Sequence, residues 1–527
     1  MTKCPWRLSV LAVWCGLAAA APPDDGSHWW SHVKFLADDK LEGRNTGSPG
    51  YRKAAEYVAA EFERAGLKPA GTSGYYQPVR FRSRRILEEQ SSLALVRGGK
   101  VEPLVLGEDA VFNMRVEPAE SLEAPIVFVG YGLTVPELRH NDLTGIGLRD
   151  KVAMFISGGP SSIPGPLRAH YQSAGERWKF LKAAGAIGTI TIQNPRSMDI
   201  PWARSSPARF MPAMTLAAPG HDETEGQKLA VTVNPARADK FLAGSGHAAQ
   251  ELLALATTGK PLPAFAIPAS VRARLRFESS QVESPNVAAI LPGTDPRLKD
   301  EYIVLSAHLD HVGVGRPING DAIYNGAMDN AAGTASVLEL ARELGQKRNL
   351  RRSLLFLAVT GEEKGLLGSR YFATHPTVKP ASIVANLNLD MFLPLFPLQI
   401  LNAYGLEESD LGEQLRAVAA LLGIKIQPDL EPDRNLFIRS DQYSFIRRGV
   451  PALAFKVGFE KDSPEAAIAK KWLAERYHAP SDDLAQPVDL GAAAAFNRVI
   501  LALAEAVANR PERPKWNPAS FFRRYAE

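Results

Sequence analysis

The chain has 527 residues, 45% of them hydrophobic and 22% charged, with a formal net charge of +4. Such a length allows two or three domains, and the composition is that of a globular protein. A charge this small, with no dense basic run, excludes a nucleic-acid footprint.

Residues 1–20 read as a signal peptide. Lys3 and Arg7 make a positive start, Leu8 to Leu17 is mostly apolar, and Ala18-Ala19-Ala20 offers a small-residue cleavage site. The apolar run is short for a bilayer span, and Trp14 is a poor neighbour for a lipidated Cys15, so cleavage without a stable membrane anchor is expected. Export to the periplasm or the medium follows. Both cysteines, Cys4 and Cys15, lie in this segment, so the mature chain is expected to have no disulfide and no thiolate ligand. Losing Lys3 and Arg7 leaves a net charge of about +2. No later stretch reads as long and apolar enough to cross a bilayer.

Residues 21–117 read as the N-terminal part of the main domain. Ala54, Tyr57, Val58, Phe62 and Ala65 recur at helical spacing, and Gly66 stops the helix. The loop Gly43–Gly50 lacks the lysine and serine order of a phosphate loop and reads as structural. Residues 118–260 read as an inserted β-rich unit, with strands at Ile126–Val129, Lys151–Ile156 and Thr189–Ile192 and a helix from Glu176 to Ala184. Its histidines (His140, His170, His221, His247) are scattered, and it offers no cluster of ligands. Residues 261–510 form the main α/β segment, closed by a helix from Leu490 to Ala508, and 511–527 form a C-terminal tail without an assigned role.

Chemistry concentrates between Tyr302 and Asp390. Three hydrophobic runs end in polar groups: Tyr302–Ala307 in His308-Leu309-Asp310, Leu354–Val359 in Gly361-Glu362-Glu363, and Ile383–Leu389 in Asp390. Buried strands that deliver polar residues at their ends are the layout of an α/β site. Residues two apart on an extended segment share a side, so Asp310 can hold the His308 ring. Asp329 precedes a helical face (Val337, Leu338, Leu340, Ala341, Leu344), where a simple N-cap is the ordinary alternative. Asp390 follows a nearly buried strand and needs a cationic partner. Glu362 and Glu363 repel unless a cation or a proton separates them, so one can bind metal while the other moves a proton. His478, after Tyr477, adds a second nitrogen. Nitrogen and oxygen donors without sulfur suit zinc, with cobalt or manganese as substitutes, and two ions need a shared ligand.

The pieces Ala307-His308-Leu309-Asp310-His311, Gly326 to Gly333, Thr360 to Ser369, Leu389-Asp390-Met391 and Tyr477-His478, with Leu41-Glu42-Gly43-Arg44 upstream, resemble a known family. It is the di-zinc metallopeptidase family of secreted bacterial leucyl aminopeptidases and aminopeptidase Y, with glutamate carboxypeptidase and the transferrin receptor as distant relatives. The resemblance implies a three-layer α/β/α fold with a mixed, mostly parallel central sheet, and an insert similar to a protease-associated domain. It implies that His308 and Asp390 bind one Zn2+, that Glu363 and His478 bind a second, and that Asp329 bridges them. It further implies Glu362 as catalytic base, Asp310 as support for His308, and Tyr477 as a hydrogen-bond donor to the tetrahedral intermediate. The Asp329–Asn330 bond is expected to be cis, and Ser440 to Phe445 to lie near the substrate pocket. The activity implied is that of an exported aminopeptidase that hydrolyses the N-terminal peptide bond with a metal-bridging water activated by Glu362. A carboxypeptidase or dipeptidase of the glutamate carboxypeptidase type is the alternative, followed by a glutaminyl cyclase or a receptor-like relative without catalysis. The expected partner is a peptide substrate, and the oligomeric state is left open.

Overall fold

The structure is a computed structural model and describes residues 25–526 except 348, 432, 433 and 435. The expected signal segment 1–20 lies outside the described residues. Four strands form the middle of a ten-stranded mixed sheet: β1 (Tyr302–His308), β2 (Ser353–Val359), β3 (Ile383–Asn388) and β4 (Ala452–Gly458). They run parallel in the order β2-β1-β3-β4. Antiparallel strands Phe277–Leu291 and Ile400–Tyr404 flank them on either side. The parallel strands are hydrophobic almost throughout because helices cover both faces of the sheet.

The alternation along β1 and β2 decides which helices they meet. Ile303, Leu305, Ala307, Leu354, Phe356 and Ala358 point into one core. That core is shared with three helices: α1 (Pro49–Arg64), α2 (Ala332–Gly345) and α3 (Leu490–Asn509). Val304, Leu355, Leu357 and Val359 point to the other side, against Phe372 and Phe445. The result is three layers, α/β/α. Helix α1 starts where the Ser48 side chain accepts a hydrogen bond from the Tyr51 N–H, with Pro49 in its first turn. It ends before Gly66, whose φ of 72° only glycine takes up readily.

Helix α3 corrects one expectation. Its 20 residues are long and apolar enough to cross a membrane, although no such stretch was expected beyond the leader. Here its apolar stripe is core instead: Phe496, Val499, Ile500, Leu503 and Val507 are buried, and Phe496 stacks on Phe392 with ring centroids 4.0 Å apart.

A second, eight-stranded sheet forms the inserted unit. It begins with strand Ser92–Arg97 and ends with Ala264–Arg274, so it reaches beyond the expected 118–260 span on both sides. The reason is long-range pairing: Ala264–Arg274 lies antiparallel between Ser92–Arg97 and Ser121–Val129, which local periodicity does not reveal. One strand of the inserted stretch, Ala213–Leu216, leaves it and pairs with Tyr76–Ile86 at the edge of the main sheet.

The tail from Pro511 is also built in. Trp516 and Phe522 are buried against Tyr443, Ile446 and Ala452 of the main domain and Ala169 of the insert. The Trp516 indole N–H donates to the Gly449 carbonyl at 2.8 Å, and the Tyr525 hydroxyl meets the His170 ring at 2.9 Å. The tail therefore fastens the two units together. Replacing Trp516 by alanine is expected to lower the unfolding free energy by about 3–5 kcal/mol. Urea denaturation measures this, and an unchanged midpoint would contradict the structural role of the tail.

Candidate metal centre

The carboxyl ends of β1, β2 and β3 lie along one edge of the sheet, so His308, Glu362-Glu363 and Asp390 converge although they are distant in sequence. Asp329 comes from the irregular turn that precedes α2, and the Asp329–Asn330 peptide is cis. The Asn330 side chain then joins two pieces of the site. Its amide nitrogen donates to the Leu389 carbonyl at 2.9 Å, and its oxygen accepts from the Gly333 and Met391 N–H groups. Gly333 must be glycine, because a Cβ there would come within 2.2 Å of the Leu389 carbonyl oxygen.

Asp329 lies at the centre. Its Oδ1 is 3.3 Å from His308 Nε2, which is 3.4 Å from Asp390 Oδ1. Its Oδ2 is 3.2 Å from His478 Nε2, which is 3.3 Å from Glu363 Oε2. One carboxylate thus turns an oxygen to each of two donor groups. All five residues expected as ligands are brought together. Tyr477 and Glu362 line the same cavity, of about 90 Å³.

Asp310 departs from expectation. His308 Nδ1 lies 3.0 Å from the main-chain carbonyl of Asp310, not from its carboxylate. The carboxylate turns away and accepts from the Thr46 hydroxyl at 2.9 Å and from the Glu362 N–H at 3.1 Å. It is buried, and a buried carboxylate goes where hydrogen-bond donors are. The role expected for Asp310, holding His308, is carried by its backbone, while its side chain positions Glu362.

Three further residues complete the centre. His311 is fully buried, with Nδ1 2.9 Å from Glu363 Oε1 and 3.9 Å from Asp329 Oδ2, and neither ring nitrogen makes a well-directed hydrogen bond. It joins Asp329 and Glu363 in a cluster with the spacing of cation ligands. Asp482 is buried beneath Asp329 and accepts hydrogen bonds from the Met328 and Asp329 N–H groups at 2.9 and 3.0 Å. Arg44, also fully buried, donates to the carbonyls of Leu36, Leu309, Asn325 and Gly326 and so ties the N-terminal segment to the loops of the site. His311 and Arg44 sit inside sequence pieces already singled out, but spacing alone gave them no task. Asp482 shows no sequence signal beyond lying four residues after His478.

The electrostatics fit a cation. Burial pushes the Glu362 carboxyl well above the usual carboxylate range. His308 opposes this, and repulsion from Glu363, Asp390 and Asp441 adds to it. Glu363 goes the other way: burial resists its ionisation, but His478 and His311 hold it well below that range. Burial disfavours the charged forms of His308 and His478, yet the surrounding carboxylates raise both well above the ordinary imidazole value. Adjacent glutamates driven in opposite directions have different tasks. A buried set of imidazoles and carboxylates with an orphaned imidazole, and without sulfur, fits divalent metal of the zinc type.

The inserted unit adds no donor to the cluster among the described residues, but it borders the cavity. Asp199 pairs with both Arg434 and Arg439, and Arg204 donates to the carbonyls of Ala474 and Tyr477. The Ser440 segment is held at the end of β3, where Asn388 donates to Ser440 Oγ and Gln442 Oε1 at 2.9 Å each.

Residues 286–504 match the sequence profile of Peptidase family M28. Aminopeptidase Y of Saccharomyces cerevisiae is 29% identical over 207 residues, covering 38% of this chain and 35% of that protein. A probable zinc metalloprotease of Pyricularia oryzae is 35% identical over 136 residues, 26% of each chain. The chain thus spans about a third or less of the length of these relatives. An aminopeptidase from Aneurinibacillus sp. strain AM-1 has the same fold, with a TM-score of 0.56 at 19% identity over 95% of this chain and 97% of that one.

Substituting Asp482 by asparagine puts an NH2 group against one of the two N–H groups it now accepts from, and so disturbs Asp329. The expected outcome is an affinity for Zn2+ lower by about 10–100-fold with the fold intact. Competition against a chromophoric chelator measures it, and unchanged affinity would exclude Asp482 from the support of the site.

Proposed function

We propose, from the match of residues 286–504 to Peptidase family M28, that the protein is an exported, zinc-dependent aminopeptidase that hydrolyses the N-terminal bond of peptides. The observation that carries this reading is Asp329, which presents one oxygen to His308 and Asp390 and the other to Glu363 and His478. In this reading His308 and Asp390 hold one zinc ion, Glu363 and His478 a second, and Asp329 is shared. Zinc supplies Lewis acidity, which lowers the pKa of water and polarises a carbonyl.

Proton movement belongs to Glu362. Its carboxylate faces the cavity and its main-chain N–H is fixed by Asp310, so it is placed to take a proton from the attacking water and deliver it to the leaving nitrogen. Tyr477 lines the same cavity, and burial beside Asp329 and Glu363 keeps its hydroxyl protonated. It can therefore donate to the carbonyl oxygen as negative charge develops. The insert, read as a protease-associated domain, bounds the cavity through Asp199 and Arg204 and so limits the shape of the substrate.

The carboxypeptidase or dipeptidase reading needs cations free to hold a substrate carboxylate. Arg434 and Arg439 are paired with Asp199, and Arg447 with Glu223. Lys456 favours this second reading, since it lines the cavity and has no carboxylate within ion-pair distance among the described residues. Blocking each end of a peptide separates the two readings. An aminopeptidase loses N-acetylated peptides and keeps C-terminal amides, and the opposite pattern would replace the proposal.

Glu362→Gln is expected to lower kcat by about 10²–10⁴-fold or more while zinc stays bound. Metal content and turnover of an aminoacyl-nitroanilide, measured on the same preparation, check this. Full activity in the variant would remove Glu362 from the reaction.

A further inference from the structure

The insert encloses a second cavity of about 210 Å³, between its helix Ala174–Ala183 and the strands Val152–Ile156, Gly188–Ile192 and Ala230–Val233. Its lining contains two arginines, Arg115 and Arg177, four threonines and no carboxylate. Arg177 is only 8% exposed. Its guanidinium lies over the Phe155 ring, 4.3 Å from the centroid, and its Nε and Nη2 are buried without a hydrogen-bond partner.

Nearby acids are committed elsewhere. Asp142, whose charge acts on Arg177, lies 2.8 Å from His140 Nε2 and accepts the Leu133 N–H. Glu223 pairs with Arg370 and Arg447. Arg115 makes one side-chain hydrogen bond, from Nη2 to the Glu363 carbonyl at 2.9 Å.

Water could satisfy the orphaned N–H groups but would leave the Arg177 charge without an ion-pair partner among the described residues, whereas the Arg115 charge also feels Glu362 and Glu363. The cavity is also several times the share of volume of one water molecule in the liquid, about 30 Å³. Guanidinium groups beside hydroxyls in a pocket without acids match the oxygens of a carboxylate or phosphate. We propose that this cavity is a binding site for a small oxyanion, held by Arg177 and Arg115 with the hydroxyls of Thr191 and Thr232 around it. A free amino acid suits it poorly, because no carboxylate is present to receive its ammonium group. The matching ligands are an inorganic phosphate or a carboxylate without a neighbouring ammonium, such as a peptide C-terminus. This inference does not depend on the proposed peptidase activity.

Calorimetric titration of the full mature chain with inorganic phosphate, and separately with N-acetylalanine, tests the proposal. A chelator is present in one arm, so that binding at the metal centre is recognised by its loss. Saturable binding that persists with chelator is expected. In Arg177→Met, which keeps the packing on Phe155, affinity is expected to fall by about 10-fold or more. Thr191→Val, a milder change that covers failure of the first variant to fold, is expected to weaken it several-fold. Tighter binding of phosphate assigns the site to an inorganic anion, and tighter binding of N-acetylalanine assigns it to a peptide carboxylate. No chelator-resistant binding of either probe, or full-strength binding in a folded variant, would overturn the proposal.

Discussion

The structure is built around a repulsion. Four carboxylates, Asp329, Glu362, Glu363 and Asp390, are gathered at one edge of a buried sheet with only three imidazoles among them. Such a group is stable only if cations sit among the oxygens and the surrounding framework does not yield. The framework explains features that otherwise look unrelated. Asp482 fixes the backbone at Asp329 from below, Asn330 ties that turn to the loop of Asp390, and Asp310 fixes the backbone of Glu362. Arg44 reaches in from the N-terminal segment and grips three carbonyls of the same loops, of Leu309, Asn325 and Gly326, together with that of Leu36 in its own segment. Asp329, Glu362 and the loop of Asp390 are thus held through main-chain groups, so their side-chain oxygens are not used up in anchoring.

The same constraint sorts what could be read from the sequence. His308, Asp329, Glu363 and Asp390, with Glu362, were legible as candidates because each follows a hydrophobic strand or opens a helix, and burial makes an acid in such a place conspicuous; His478, in a turn after a helix, had only its place beside Tyr477 and the family resemblance. Layering was legible for the same reason, since strands covered on both faces are continuous apolar runs. The supporting residues were not. Asp482 lies 153 residues from the N–H it accepts, and only the folded backbone brings the two together. The hydrogen-bonding role of the Asp310 carboxylate was hidden too, because its choice between His308 and the Glu362 N–H depends on where β2 ends. His311 was in view but lacked a reason, and the reason is its contact with Glu363, on another loop.

Texture pointed to a β-rich unit over 118–260, and the second sheet draws strands from outside that span. Its sheet closes through strands on both sides of the expected span, and the tail wedges aromatic side chains between the two units. Arg115 links the units once more, donating to the carbonyl of Glu363 itself. The loop of Glu363 therefore touches both units, and Asp199 with Arg204 borders the same cleft.

The strand Ala213–Leu216 carries a consequence of its own. It belongs to the inserted stretch by sequence and to the main sheet by hydrogen bonding, where it covers the Phe81–Arg84 part of the outer edge of Tyr76–Ile86. Excising the insert would strip the pairing from Phe81–Arg84 and leave one side of that eleven-residue strand bare. A long bare edge of this kind recruits other chains. The two units are thus a poor pair for modular exchange, and a trimmed version would be lost to aggregation before its chemistry could be judged.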